Sequence, residues 1–509
     1  MQDRSFLEKC LADLQPVRKN YRLPFLSALI AGLGAYLFCF TNKLEIMDDL
    51  ACMFAQGSTL ASGRWGLDLV KYITPGISLP WLNGFLSLLL LSGTSCLTLH
   101  MFRIKNPLLR ILLPAVLITF PSQTCTFAYM FTTTQYALAL LLAVWGAYGL
   151  SKSKNLKSCI VPCILLVLSM SMYQPYIAVT ASWLVIYVLL QVLQGEEKPK
   201  QSLLTGLRFL LCLGLSLLAY RFLTLLIQKG SGTALGEYGS STLNGVGDLL
   251  FGIRVAYTSF IGYFYKGYYD LVPTTFSTVV HAAAGLITCI LLTVRLVRFS
   301  SPEERKGRAL LVLLCLLLLP PAVNAMRIIS SLTHNLMLFS VTAVYVLAAV
   351  VLEQCVPALK ETLRGAAKDL VAICLFLTAA INIVFANSVY LQMYMKVQQA
   401  EAFYTTVLAC LMQEENFTAD APVAFVGSND ILYEFPMIET DNLAGIREGI
   451  LGTYSQSDFI RYFLGVELNI CGWDVTDLLQ EDERVLSMPS YPSAGSIRQL
   501  DGIYVVRLG

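Results

Sequence analysis

Leu23-Pro-Phe-Leu-Ser-Ala-Leu-Ile-Ala-Gly-Leu-Gly-Ala-Tyr-Leu-Phe-Cys-Phe40, followed at once by Thr41-Asn42-Lys43-Leu44-Glu45-Ile46-Met47-Asp48-Asp49-Leu50, decides the fold. The first stretch carries no charge and, with its flanks, reaches the length on the order of 20 residues that crosses about 30 Å of hydrocarbon. The second places two adjacent acids just beyond that span. Neighbouring carboxylates beside a bilayer repel each other and cost desolvation, so their retention points to a bound base, an acceptor hydroxyl or a cation.

The whole chain repeats the first signal. Of its 509 residues 56% are apolar and 14% charged, and its mean hydropathy is +0.63, which excludes an ordinary soluble domain and indicates a polytopic membrane protein. The net charge is +2, with neither the basic excess nor a motif for nucleic acid. The 14 cysteines lie mostly within apolar runs, as Cys212, Cys289 and Cys315 do, without zinc spacing. Cys52, Cys410 and Cys471 alone are expected outside the membrane, where one disulfide is permitted but not required. His100, His281 and His334 are too dispersed for a metal motif. The start of the chain mixes Arg4, Lys9, Arg18, Lys19 and Arg22 with acids, unlike a cleaved signal peptide.

Apolar runs fall near 23–40, 81–100, 107–122, 124–150, 158–173, 176–193, 208–227, 274–294, 309–323, 335–352 and 370–388, about eleven expected transmembrane helices in an all-α membrane domain. Alternate connections are basic: Arg103, Lys105 and Arg110; Lys152, Lys154 and Lys157; Lys198, Lys200 and Arg208; Arg295, Arg298, Arg305, Lys306 and Arg308; Lys360, Arg364 and Lys368. The others carry mainly Lys43, Arg64, Lys71, Lys229, Arg254, Lys266 and Arg327. The positive-inside rule then makes residues 1–22 cytoplasmic and, with an odd number of spans, the C terminus extracytoplasmic.

Two outer segments, 41–80 and 228–273, are long, whereas the inner connections are short, so function is expected on the outer face. The first has apolar residues at helical spacing, interrupted by Gly57-Ser58 and Gly63, as in helices lying in the membrane interface. In the second, Tyr257, Tyr263, Tyr265, Tyr268 and Tyr269 suit an interfacial belt better than sugar stacking. Pro114, Pro121 and Pro162 interrupt the third to fifth spans, and Pro320-Pro321 end the ninth, where freed backbone groups need protein partners or a wet cavity. The domain 23–388 gives way to 389–509, an amphipathic helix from Tyr390 to Gln413 and a small α/β extracytoplasmic domain. There Pro422-Val-Ala-Phe-Val-Gly427 and Gly502-Ile-Tyr-Val-Val-Arg507 read as strands and 457–468 as a helix.

Glycosyl transfer from a lipid phosphate needs a base at the acceptor hydroxyl and cations or donors at the departing phosphate. Asp48 and Asp49 are the base candidates; neighbours on a helix diverge by about 100°, so only one can face a given hydroxyl. Alternatively, one of them caps the following interfacial helix. Arg64 offers a planar fork to phosphate oxygens, with Trp65 beside it at headgroup level, unless Arg64 merely snorkels. Arg327 and His334 flank a short outer turn and form a second candidate phosphate site, with Asn324 and Asn335 as neutral donors. Arg221 and His281 are weaker candidates, each satisfiable by a neighbouring helix. Tyr173-Gln174-Pro175-Tyr176 makes an outer hairpin in which Tyr173 and Gln174 would position a sugar or the catalytic acid, or simply form a proline turn. Nucleotide-binding and protease motifs in a suitable setting are absent.

Asp48-Asp49, then Gly63-Arg64-Trp65, then Tyr173-Gln174-Pro175, in that order, resemble the type II glucosyl transferase family of bacterial membrane proteins. The resemblance extends to Asn387–Gln413 and to the closing Met488-Pro489-Ser490-Tyr491-Pro492 and Gly502–Arg507. It implies a GT-C-like architecture in the bacterial plasma membrane. It also implies transfer of a hexose, glucose in the family, from a polyprenyl-phosphate donor to a cell-surface polysaccharide or glycolipid on the outer face, as in O-antigen modification. It assigns catalysis to Asp48 or Asp49. Some such enzymes use a divalent cation, yet two aspartates alone supply too few oxygens to demand one. A flippase for lipid-linked saccharides would need repeated halves and ionisable groups near the midplane, which the sequence lacks. A polysaccharide polymerase or ligase would share the donor and differ in transferring a long chain.

Overall fold

The computed structural model describes residues 6–44, 47–54, 59–72, 76–234, 236, 246–266, 275–298, 302–330, 333–427 and 455–508. Glu45, Ile46, Gly57, Ser58, Tyr268 and Tyr269 therefore lie outside the described residues. In chain order the helices are α1 (Phe6–Thr41), α2 (Met47–Ala51), α3 (Trp65–Val70), α4 (Pro80–Met101), α5 (Pro107–Thr119), α6 (Pro121–Phe127), α7 (Met130–Lys152), α8 (Ile160–Met172), α9 (Ile177–Gln194) and α10 (Pro199–Ser231). They continue as α11 (Val246–Lys266), α12 (Thr275–Val297), α13 (Pro302–Val323), α14 (Ala325–Ile329), α15 (Ala343–Cys355) and α16 (Glu361–Leu411).

Among the described residues eight helices are long and apolar enough to cross a membrane: α1 from Lys19, α4, α7, α9, α10, α12, α13 and α16. The pair α5 and α6, bent by 45°, makes a ninth if it is one span, while α8 and α15 are apolar but shorter. Length and composition thus support eight or nine spans in place of the expected eleven. Pro121 starts α6 after an extended Phe120, so the expected third span ends in a bend and the fourth begins at Met130. Carbonyls around the bend are taken up by protein: Tyr36 donates to the Ile118 oxygen at 2.9 Å and Tyr390 to that of Thr124 at 2.9 Å. Pro162 sits in the first turn of α8, where a proline breaks nothing, and Pro320-Pro321 remain within α13.

The segment 228–273 is not a plain loop, because it contains the 21-residue α11. Its glycines include a close helix contact: a Cβ on Gly252 would lie 2.9 Å from the Ile328 Cα in α14. Tyr257 donates to the Leu317 oxygen at 2.6 Å and Tyr263 meets His281, so these two rings pack between helices. The segment 41–80 also departs from expectation, since α3 does not lie flat on a surface but buries Trp65, Leu67 and Val70. Gly66 allows this approach, for a Cβ there would meet the Ser171 Oγ at 2.1 Å and its carbonyl carbon at 2.9 Å. Gly66→Ala is expected to cost about 3 kcal/mol through overpacking, measured as a lowered unfolding midpoint in detergent.

The bundle has two unlike ends. At one, the Asp49 carboxylate reaches α7, Gln174 reaches the Ser62 oxygen at 2.8 Å, and Gln228 reaches that of Leu60 at 3.1 Å. At the other, buried Arg308 donates to the Val192, Gly195 and Glu197 oxygens at 2.9–3.1 Å, and Arg295 to that of Leu193. The carbonyl-rich end of α9 is thereby closed by two guanidinium groups.

The last span and the amphipathic helix expected after it form the single 51-residue α16, about 77 Å long at 1.5 Å per residue. Its end carries the α/β domain: β1 (Pro422–Val426), α17 (Gln456–Phe463), β2 (Asn469–Ile470), α18 (Trp473–Gln480), α19 (Glu483–Leu486), β3 (Ile497–Leu500) and β4 (Ile503–Arg507). The strand order is β2-β1-β4-β3, with β1 parallel to β2 and β4 and with β3 antiparallel to β4. One face of this sheet packs on Phe403, Tyr404, Val407 and Leu411 of α16.

Candidate active site

Asp48, Asp49 and Leu50 are consecutive on one short helix and go to three different places. Asp49 is 1% exposed. Its Oδ2 accepts from the Met130 N–H at 3.1 Å and its Oδ1 from the Phe131 N–H at 3.0 Å. It thus caps α7 from a distance, satisfying two N–H groups that the first turn of a helix leaves unpaired and facing the positive end of the helix dipole. This corrects its candidacy as the base, and the helix it caps is not the one that follows it. Leu50 is fully buried, in the core of the C-terminal domain.

Asp48 instead lines a cavity of about 460 Å³ together with Arg64 and His334. Carboxylate, guanidinium and imidazole come from segments some 270 residues apart in sequence, the first two from the connection after α1 and the third from the turn before α15. His334 is held below the ordinary histidine range, first by burial and then by the positive charge of Arg64. Tyr129, Thr132 and Tyr136 of the α7 start complete the polar wall. No sequence signal marks them, as a tyrosine or threonine near a helix end resembles any interfacial residue.

Arg64 is fixed from behind. Its Nη1 donates to the Tyr136 hydroxyl at 2.8 Å and its Nε to the Gln174 Oε1 at 3.4 Å. Its guanidinium lies 5.3 Å from the Tyr173 ring centre and 5.8 Å from that of Tyr136, two rings stacked at 4.1 Å. The Gln174 Nε2 donates to the Tyr220 hydroxyl at 2.9 Å, which donates to the Gly63 oxygen at 3.0 Å. Gly63 has φ +72°, a left-handed turn that favours glycine, and a Cβ there would sit 2.9 Å from the Tyr220 hydroxyl. The strap from Ser62 to Arg64 is therefore locked to α8, α9 and α10.

Several expected contacts are corrected. Trp65 is buried and donates to the Thr224 Oγ1 at 3.1 Å, so it packs against α10 instead of sitting at headgroup level. Tyr173 and Gln174 lie behind Arg64 and are not among the described residues that line the cavity; they hold the cation. Arg327 lies on α14 and is not among the described residues that line the cavity with His334. Asn324 donates to the Ala256 oxygen at 3.1 Å, serving helix packing. The His281 Nε2 is hydrogen-bonded to the Tyr345 hydroxyl of a neighbouring helix at 2.9 Å. Cys52, Cys410 and Cys471 are thiols, not disulfides.

Asp49 commits both oxygens to α7, so of the two adjacent acids Asp48 alone lines the cavity, and two aspartates so divided do not build the oxygen-rich shell that calcium or magnesium takes. Among the described residues no three His, Cys, Asp or Glu side chains gather as metal ligands.

A bundle of apolar helices, with a polar cavity at one end walled by acid and base, defines a polytopic membrane protein with a site for polar chemistry. The Glucosyl transferase GtrII family matches residues 37–353, well over half of the chain, and the protein belongs to that family. The matched stretch begins within α1 and ends within α15, enclosing Asp48, Arg64 and His334. No curated protein and no solved structure matches.

Proposed function

We propose that the protein moves a hexose, glucose by the family's description, from a polyprenyl-phosphate donor to a hydroxyl of a cell-surface polysaccharide or glycolipid, as a GT-C-type enzyme of the plasma membrane. The observation that carries this reading is the shared wall of Asp48, Arg64 and His334. The acceptor O–H gives its proton to the Asp48 carboxylate as its oxygen bonds to the anomeric carbon. The bond from that carbon to the phosphate oxygen breaks, and its electron pair leaves on the phosphate. Arg64, and His334 once protonated, offset the charge that develops there.

Tyr136 and Gln174 are positioning residues for Arg64, and Tyr173 stacks beneath them. The orientation proposed has the N terminus cytoplasmic and the cavity and C-terminal domain outside. It is supported by the clustering of Arg295 and Arg308 at the end of the bundle away from the cavity. A flippase is less well supported, because the ionisable wall groups sit together at one end, whereas a polymerase or ligase is told apart by transfer of a long chain instead of one sugar.

The test is transfer of labelled sugar from polyprenyl-phosphate-glucose by membranes carrying the protein; failure to transfer from this donor to any surface-polysaccharide acceptor rejects the proposal. The donor is a phosphodiester with one negative charge across the neutral range. His334, neutral at neutral pH because its own pKa is depressed, should gain a proton when this anion binds, so donor affinity should rise as pH falls. Donor KM is accordingly expected to drop several-fold between about pH 7.5 and about pH 5.5. In His334→Gln the same profile should be flat, as measured by initial rates at varied donor.

A further inference from the structure

We infer that the C-terminal domain, which lies beyond the family-matched segment, is part of the catalytic unit, and that Leu50 and Met53 are positioning residues through which it aims Asp48. This rests on the reading of Asp48 as base. At about 100° per residue, Asp48, Ala51 and Cys52 fall within one arc of about 100°, while Leu50 and Met53 lie on the opposite side. The surroundings follow this division. Asp48, Ala51 and Cys52 line the cavity. Leu50, fully buried, and Met53, 5% exposed, belong to the same core as Phe403, Tyr404, Phe459 and Ile460. Beside them the Phe54 ring meets that of Tyr462 edge-on at 4.9 Å.

The helix that bears Asp48 is only 5 residues long, too short to hold its own conformation in water. Its backbone turn continues through bonds from Cys52 to Asp48 and from Met53 to Leu50, but what fixes its direction is external. Asp49 pins it to α7, one point about which it can still rotate. Leu50 and Met53 supply the second point, and two points define the angle at which Asp48 meets the cavity. The second point lies in the core built by α16, α17 and the sheet of the C-terminal domain, on the side of the short helix away from the cavity.

A small misplacement of a catalytic group costs on the order of 10²-fold in rate. Leu50→Ala in the full-length protein is therefore expected to lower kcat by about 10²-fold with donor KM and donor binding unchanged, since Arg64 is held by Tyr136 of α7 and by Tyr173 and Gln174 of the turn before α9, and His334 stands on the turn before α15, outside the core that receives Leu50. Leu50→Met should restore most of the rate. Phe459→Ala, made from the domain side, should lower kcat similarly, and the double variant should be little worse than either single one, as expected for two residues serving one contact. Amide exchange in Gln456–Phe463 should rise in Leu50→Ala.

The inference is overturned by native kcat in Leu50→Ala, by loss of donor binding in step with turnover, by additive losses in the double variant, or by unchanged exchange. Transfer by the native protein, with Asp48→Asn inactive and Leu50→Ala fully active, removes the inference alone. A native protein that transfers nothing removes the proposed function and the inference with it.

Discussion

Asp48→Asn is expected to lose sugar transfer by about 10²- to 10⁴-fold while still folding and still binding donor, because an amide cannot take the acceptor proton. Asp48 lines the cavity, and the carboxylate that caps the start of α7 is that of Asp49, so the exchange at Asp48 leaves that cap in place. Asp49→Asn should damage the protein by another route. An asparagine retains one acceptor oxygen and turns an NH₂ toward an N–H that needs one, at a site 1% exposed and facing the positive end of a helix. Leaving one buried N–H unsatisfied and removing the charge is expected to cost about 2–3 kcal/mol. Yield and the unfolding midpoint should fall, and what remains folded should keep part of its turnover. Transfer assays on equal amounts of folded protein, beside thermal unfolding in detergent, separate the two effects. Native turnover in Asp48→Asn would reject its role as base.

Arg64→Ala should raise donor KM by about 10²-fold or more, the loss of a charge-assisted contact to a phosphate in a partly buried site. Arg64→Lys should recover little of it. The guanidinium is gripped at three edges, by the Tyr136 hydroxyl, the Gln174 amide oxygen and the Tyr173 ring. An ammonium cannot reproduce that planar arrangement or present two parallel donors to the phosphate. Donor titration of initial rates measures the effect, and a KM within twofold of native for Arg64→Ala would remove Arg64 from the donor site.

The helical membrane domain was legible because its driving force is local: long uncharged runs and the charge bias of their flanks are written in single segments. What escaped the sequence was set by contacts between segments. The bend after Phe120 looked like a span end, since one proline fits a kink, a break or a first turn equally well. The helix 246–266 is hard to tell from a loop in a Gly- and Tyr-rich segment, since Gly252, which serves close packing on Ile328, is the same letter as a turn glycine. In the site, the residue types were legible and their division of labour was not. Nothing in Asp48-Asp49 tells which side chain turns to a cavity; the choice is made by the start of α7, some 80 residues away, which offers two N–H groups to Asp49. Likewise Trp65 follows Arg64 in sequence yet turns to Thr224, while His334, far along the chain, comes to stand beside the guanidinium.

After Gly365, α16 contains neither glycine nor proline up to Leu411. It runs unbroken from the basic end of the bundle to the core that receives Leu50 and Met53. Such a strut has no joint at which it can yield. The domain on its tip is accordingly held at a constant stand-off from the bundle, and the acidic side chain inherits that height.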